Sequence, residues 1–227
     1  MPSVAPREAI RRLTHASAGL LSLTLLWLPW HIVVICCVAG IAFNFFAMPV
    51  IAPHIFRPNE SKFSGIRAYP MAVLLLVLLF PMRTAAAAWA VLAFGDAMAA
   101  LIGRAYGTNK LPWNREKSLQ GLLAFICFGT CAGALVYNFV EPREPAVYGW
   151  FSEIYNFLNV SWSSGKQTNS AGFGLADYRI WTISLAASFA AGIAETIYVK
   201  IDDNFRTAIA AGIVYLYLDP LTMASFV

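Results

Sequence analysis

The residue whose type and position best suit chemistry is Asp96, the one charged residue between Arg83 and Arg104 in a long apolar stretch. A charged side chain near the centre of a membrane helix costs about 2.5 to 3.5 kcal/mol, so this carboxylate needs a partner or a function. On a helix it shares a narrow face with Ala99, Gly103 and Gly107. That face predicts either a groove for a ligand or a surface for close helix packing, which would also permit a homodimer.

A basic loop follows this face and leads into the next apolar stretch. Its charged residues are Arg104, Lys110, Arg115, Glu116 and Lys117. Ser118 is a suitable N-cap for the following helix, and a helix start has free amide donors that attract phosphate. The loop therefore predicts a phosphate-binding site. A membrane anchor that follows the positive-inside rule would explain the cations but not the glycines.

A third group of polar residues follows the apolar stretch near position 190. Glu195 is succeeded by Asp202, Asp203 and Asn204. Carboxylate and amide oxygens suit Mg²⁺, although a helix-capping turn explains the last three residues equally well. With the basic loop and Asp96, this group predicts a site for a nucleotide and a metal ion.

The elements that position these residues are predicted to be membrane helices. Hydrophobic residues make up 59% of the 227-residue chain and charged residues 12%, whereas soluble domains carry about 25% charge. This balance excludes a water-soluble globule, and it disfavours nucleic-acid binding and disorder, both of which need dense charge. We expect an all-α, polytopic membrane protein that forms one domain over residues 1–227.

The uncharged stretches predict about seven transmembrane helices. They cover residues 13–28, 32–52, 68–82, 84–103, 118–140, 180–199 and a last stretch that starts at 207. With a cytoplasmic N-terminus, twelve of the 16 Lys and Arg residues lie on the inner side, as the positive-inside rule favours. This orientation places the basic loop and both acidic groups at the cytoplasmic face. Residues 141–177 are predicted to form an outward loop, in which apolar residues at helical spacing predict a helix on the membrane surface.

Two stretches together resemble the CTP-binding signature of the dolichol kinase family and its phytol and farnesol kinase relatives. They are Gly95-Asp-Ala-Met-Ala-Ala-Leu-Ile-Gly-Arg-Ala-Tyr-Gly107 and Glu116-Lys-Ser-Leu-Gln-Gly121. The positions that match the signature in register are Asp96, Ala99, Gly103, Gly107, Lys117 and Gly121. Ser118 replaces a Thr, whereas Glu116 and Gln120 depart from the family's Lys and Glu. Arg11-Arg12-Leu-Thr-His15 and Ile201-Asp-Asp-Asn204 are similar to two further family motifs.

The resemblance implies an enzyme of the bacterial inner membrane that transfers the γ-phosphoryl group of CTP, with Mg²⁺, to a long-chain isoprenoid alcohol. Asp96 would bind Mg²⁺ together with Asp202 or Asp203, and Glu195 or Asp203 would accept the alcohol proton. His15 is a second candidate base or a structural residue, and Asn204 contacts the substrate or supports the fold. The nucleotide would be held by Gly103, Arg104, Gly107, Lys110, Arg115, Lys117, Ser118 and Gly121.

Two other functions fit the sequence less well. Phosphatidate cytidylyltransferases also use CTP and Mg²⁺, but their motif places the acid four residues before Gly-Arg, whereas Asp96 precedes Gly103-Arg104 by seven. A small transporter or membrane scaffold would instead use Asp96 and Glu195 as acids of an ion pathway. The partners expected for the enzyme are CTP, the lipid alcohol and membrane lipids.

Overall fold

The computed structural model describes residue 17 and residues 19–53, 65–140 and 178–218. Most of these residues are helical, as the sequence predicted. The helices are α1 (Trp30–Ile51), α2 (Ala68–Leu79), α3 (Met82–Tyr106), α4 (Leu119–Phe139), α5 (Tyr178–Thr196) and α6 (Asp203–Leu218). A short 3-10 helix at Leu21–Leu26 precedes them. The all-α prediction omits one element, because an antiparallel hairpin of β1 (Lys110–Leu111) and β2 (Asn114–Ser118) joins α3 to α4.

Three of the described helices are long and apolar enough to cross a membrane. They are α1, α3 and α4, whose mean hydropathies are 2.3, 1.8 and 1.9, and they agree within a few residues with predicted segments 32–52, 84–103 and 118–140. Helix α2 is apolar but has only 12 residues. The total of seven spans and the cytoplasmic N-terminus remain predictions. His15 and the surface helix predicted within 141–177 lie outside the described residues.

Prolines set several of the helix boundaries. Pro29 and Pro81 each immediately precede the first residue of a helix, α1 and α3, where the missing N–H group costs nothing. Pro49 lies inside α1, and the helix widens to a π-helical stretch at Phe43–Ala47 just before it. The widening accommodates the proline ring, which would otherwise meet a carbonyl of the preceding turn.

Helix α3 runs through the centre of the bundle and carries Asp96. Ala85, Ala86, Ala87 and Ala88 in its first half are fully buried. Such small side chains let α2, α4, α5 and α6 contact it from several sides, and α4 makes the most extensive contact. Because α3 is held by its neighbours, the position of Asp96 in its second half is well defined.

The small-residue face of α3 packs against the start of α4 in the same chain. A Cβ atom added at Gly121 would lie 3.0 Å from the carbonyl oxygen of Ala99 and 3.3 Å from the Cα of Gly103. These are backbone atoms, so neither can move without shifting a helix. The face predicted from sequence therefore packs two helices together, and it also lines the cavity described below.

Replacing Gly121 with alanine is expected to lower the free energy of unfolding by about 1 to 3 kcal/mol, since the methyl group would force α3 and α4 apart. The matched control is Gly40→Ala in α1, where the nearest atom to an added Cβ is 4.0 Å away. The free energy of unfolding of that control should rise by up to about 1 kcal/mol, because alanine has a higher helix propensity than glycine. Unfolding in mixed detergent micelles measures the stability of each variant. Equal stabilities for the two variants would contradict the packing account.

Candidate active site

Most of the predicted site residues line one cavity at an end of the bundle. Its volume is about 730 Å³, within the range of about 300 to 1,000 Å³ typical of small-molecule sites. Helices α3 and α5 end beside it, and α4 and α6 begin there. The predicted residues that line it are Asp96, Gly103, Arg104, Gly107, Lys110, Lys117, Ser118, Gly121, Glu195, Asp203 and Asn204. The structure therefore brings together residues that lie more than 100 positions apart in sequence.

The described site residues that do not line the cavity are Arg115 and Asp202. Arg115 is exposed on β2. Asp202 lies in the turn before α6 and contacts the protein backbone. His15, the second candidate base, lies outside the described residues. Glu116, which was not predicted as a site residue, also lies on the cavity wall.

Lys117 on β2 forms an ion pair with Glu195 in the last turn of α5. The Nζ and Oε1 atoms are 2.5 Å apart, and the exposed fractions of the two side chains are 34% and 5%. Burial alone would lower the pKa of Lys117, but the carboxylates of Glu195, Asp96 and Asp203 outweigh it and raise that pKa above its usual value. Lys117 is thus a firmly charged cation that faces three acids.

Asp203, the first residue of α6, is one of these three acids. Burial raises the pKa of Asp203 above its ordinary value, and the charges of Asp96 and Asp202 raise it further. Lys117 and Arg206 act in the opposite direction. The acids therefore repel one another across the cavity, and a cation placed among them would relieve that repulsion.

Charge is graded from the inside of the cavity to its edge. Asp96, Glu195, Asp203 and Lys117 are buried or half-buried, so acids outnumber the cation in the interior. Two cations, Arg104 and Lys110, and one acid, Glu116, line the cavity from exposed positions. This arrangement suits a divalent cation in the interior and anionic groups at the edge.

The interior acids fit a metal ion that arrives with a phosphate ligand. Within the described ranges, no group of three or more His, Cys, Asp or Glu side chains is arranged to hold a metal ion. Mg²⁺ is usually held by one or two carboxylates, with substrate phosphates and water completing its shell. Asp96 and Asp203, which both line the cavity and interact electrostatically, supply a donor pair of that kind.

Ser118 is the N-cap of α4, as the sequence predicted. Its Oγ accepts a hydrogen bond of 3.2 Å from the amide of Gly121. The amide of Leu119 donates to the carbonyl of Asn109 at 2.8 Å. Two amides of the first turn are thus engaged inside the protein. The helix start therefore offers fewer free donors than predicted, and the cations must supply more of any phosphate binding.

Gln120 ties the segment after α3 to the start of α4. Its Nε2 donates to Thr108 Oγ1 at 2.9 Å, and its Oε1 accepts from the amide of Asn109 at 3.2 Å. A glutamine side chain supplies both the donor and the acceptor that these two bonds use.

The hairpin is docked on the end of α5 by two residues that sequence reasoning missed. Trp113 Nε1 donates to Thr196 Oγ1 at 3.1 Å, and Asn114 Nδ2 donates to the Thr196 carbonyl at 2.9 Å. These bonds bring β2 beside α5, so that Lys117 meets Glu195. The only hint in the sequence is the Pro112-Trp113-Asn114 turn between two charged residues.

Asp202 anchors the turn that forms another wall of the cavity. Its Oδ2 accepts a 2.9 Å hydrogen bond from the amide of Gly65, and its Oδ1 accepts from the backbone and side-chain nitrogens of Asn204. Gly65 has a φ of 60°, a conformation that favours glycine. Both oxygens of Asp202 are engaged, so the predicted choice of Asp202 or Asp203 as a partner for Asp96 narrows to Asp203. Asn204 also makes structural contacts.

Replacing Asp202 with asparagine is expected to lower the rate of the phosphoryl transfer proposed below less than about tenfold, because the change weakens hydrogen bonds worth roughly 1 kcal/mol each. Replacing Asp203 in the same way is expected to cost at least about 100-fold, since it removes charge at the reacting groups. Steady-state rates of the two purified variants measure the contrast. An equal and large loss of rate in both variants would show that Asp202 is also a metal ligand.

Comparison of the chain with protein-family models, curated proteins and solved structures gives no significant match.

Proposed function

We propose that this protein is a membrane phosphotransferase that transfers the γ-phosphoryl group of CTP to the hydroxyl of a long-chain isoprenoid alcohol at the cytoplasmic face. The observation that carries the proposal is the graded charge of the cavity, with three acids and one cation inside and two cations and one acid at its edge. The choice of CTP and of an isoprenoid alcohol rests on the motif from Asp96 to Gly121.

The cations around the cavity suit a nucleotide triphosphate. Arg104 and Lys110 line the cavity from exposed positions, and Lys117 lies deeper. Phosphoryl transfer depends mostly on positioning and on neutralising charge. When bound, Mg²⁺ would supply charge neutralisation at the phosphates, and Asp96 with Asp203 would hold it.

In the proposed reaction, the alcohol oxygen forms a bond to the γ-phosphorus while the bond from that phosphorus to the β–γ bridging oxygen breaks. CDP leaves, and the alcohol proton passes to a carboxylate of the cavity. Lys117 donates a hydrogen bond to one oxygen of Glu195. Glu195 and Asp203 both line the cavity, and either carboxylate is a candidate acceptor.

The apolar part of the cavity wall suits the hydrocarbon chain of the alcohol. Ile66, Ala99, Ala100 and Leu122 line it, and the last three belong to α3 and α4, two helices long enough to cross a membrane. A lipid lying beside these helices could present its hydroxyl to the acids without leaving the bilayer.

The deciding experiment uses purified protein in nanodiscs with Mg²⁺ and γ-labelled CTP. Phytol, farnesol and dolichol are offered separately, and phosphatidate is the competing substrate. We expect the label to appear in an isoprenoid phosphate. Pyrophosphate released with phosphatidate would instead identify a cytidylyltransferase, and ion flux in liposomes without dependence on CTP would identify a transporter.

A further inference from the structure

Large apolar side chains are exposed beside the cavity, where a water-soluble surface would carry polar groups. They form what we name the connector patch, which consists of Trp113, Ile197, Tyr198, Val199 and Ile201. Tyr198 is 88% exposed, Ile201 58% and Trp113 54%. Exposed apolar clusters of this kind mark surfaces that bind a partner or a membrane.

Hydrogen bonds hold both parts of the patch to the protein. Trp113 on the hairpin donates to Thr196 Oγ1, directly before the connector from Ile197 to Ile201. Arg206 of α6 holds that connector from inside, since its Nη1 donates to the Ile197 carbonyl at 2.5 Å and its Nε to the Ile201 carbonyl at 3.0 Å. The backbone is therefore tied to the protein while the apolar side chains point away from it.

Two exposed cations, and one exposed acid at Glu116, accompany the patch. Lys200 lies within the connector and Arg115 lies two residues after Trp113, and both are exposed. The connector from 197 to 201 contains no Asp or Glu. Aromatic residues together with Lys and Arg are typical of protein surfaces that lie in the headgroup layer of a membrane.

We propose that the connector patch binds the surface of an anionic lipid bilayer. Its aromatic and aliphatic side chains would enter the headgroup layer, while Arg115 and Lys200 contact lipid phosphates. The patch lies at the end of the bundle where α3 and α5 end and α4 begins, which is where a bilayer surface would meet these helices. A second copy of the chain fits less well, because a two-fold contact would bring like charges together.

The first test places a bimane fluorophore at Tyr198→Cys, with Cys36, Cys37, Cys127 and Cys131 replaced by alanine. The matched control carries the fluorophore at Asn109→Cys, an exposed position at the same end of the bundle. In nanodiscs, a phosphatidylcholine with a nitroxide near its headgroup should quench the label at 198 at least about twice as strongly as the control. Iodide, which stays in the water, should quench the label at 198 less strongly than the label at 109.

Two other results would overturn the proposal. Strong quenching by iodide at 198 would show a surface in water, and protection from both quenchers would show a surface covered by protein, such as a second copy.

A second test keeps the native cysteines, in case their replacement disturbs folding. Adding phosphatidylglycerol to phosphatidylcholine nanodiscs should raise the thermal midpoint of the native chain by about 4 °C, from two cations near the surface. The double variant Arg115→Gln, Lys200→Gln should lose that rise, whereas Arg179→Gln at the other end of α5 should keep it. The role of the cations would be overturned if the thermal midpoint of the native chain did not rise. It would also be overturned if the double variant kept the rise.

Discussion

Replacing Asp96 with asparagine is expected to lower the turnover number for phosphoryl transfer by at least about 100-fold, the cost of removing one charge that acts on the reacting groups. Asparagine keeps the shape of the side chain and removes its charge, so the bundle around α3 should remain folded. The measurement is the steady-state rate with saturating Mg²⁺ and CTP, accompanied by a thermal unfolding curve.

The control for this prediction is Glu116→Gln, which neutralises an exposed carboxylate on the wall of the same cavity. Its rate should stay within about threefold of the native rate, because isolated surface changes rarely exceed about 0.5 kcal/mol. A folded Asp96→Asn protein with native turnover would show that the acid in the middle of α3 has a structural role, and the proposed reaction would lose its metal-binding residue.

Replacing Lys117 with methionine is expected to lower the free energy of unfolding by about 3 kcal/mol, because it leaves the carboxylate of Glu195 buried without its cation. This value lies at the low end of the range for buried pairs, since water reaches about a third of Lys117. The double variant Lys117→Met, Glu195→Gln should recover part of the loss. Unfolding in mixed detergent micelles gives the four stabilities of the cycle.

The control for the lysine is Lys110→Met, which removes an exposed cation from the same hairpin. Its effect on stability should stay below about 0.5 kcal/mol. If Lys117→Met were as stable as the native protein, or if the double variant lost the sum of the two single losses, the ion pair would contribute nothing to the fold.

The helices of the site could be predicted from sequence, because their signals are local. Ser118 caps α4 as predicted, and α4 ends one residue before the predicted boundary at 140. The basic loop and the acids near position 200 were predicted to share one membrane side, and all of their predicted site residues except Arg115 and Asp202 line one cavity. Apolar length and capping residues are sufficient for this level of detail.

Contacts between distant residues could not be predicted in this way. Lys117 and Glu195 are separated by 78 positions, and nothing in either stretch indicates that they pair. Asp202 and Asp203 are adjacent and chemically alike, yet only Asp203 lines the cavity, because the direction of each side chain depends on how α6 meets the turn at Gly65. The sequence predicts a loop where the structure has the hairpin, because strands of two and five residues carry too little periodicity to recognise.

The division of the cavity wall among distant stretches has a consequence for biogenesis. The ribosome completes α3, with its embedded carboxylate, long before it makes Glu195 and Asp202. The turn at Gly65 is made even earlier, but Asp202 can hold it in place only after α5 has been made. Asp96 is therefore placed before the residues of α5 and α6 that complete the cavity are present. A stalled chain that ends before α5 would contain the glycine-packed helix pair but no assembled site.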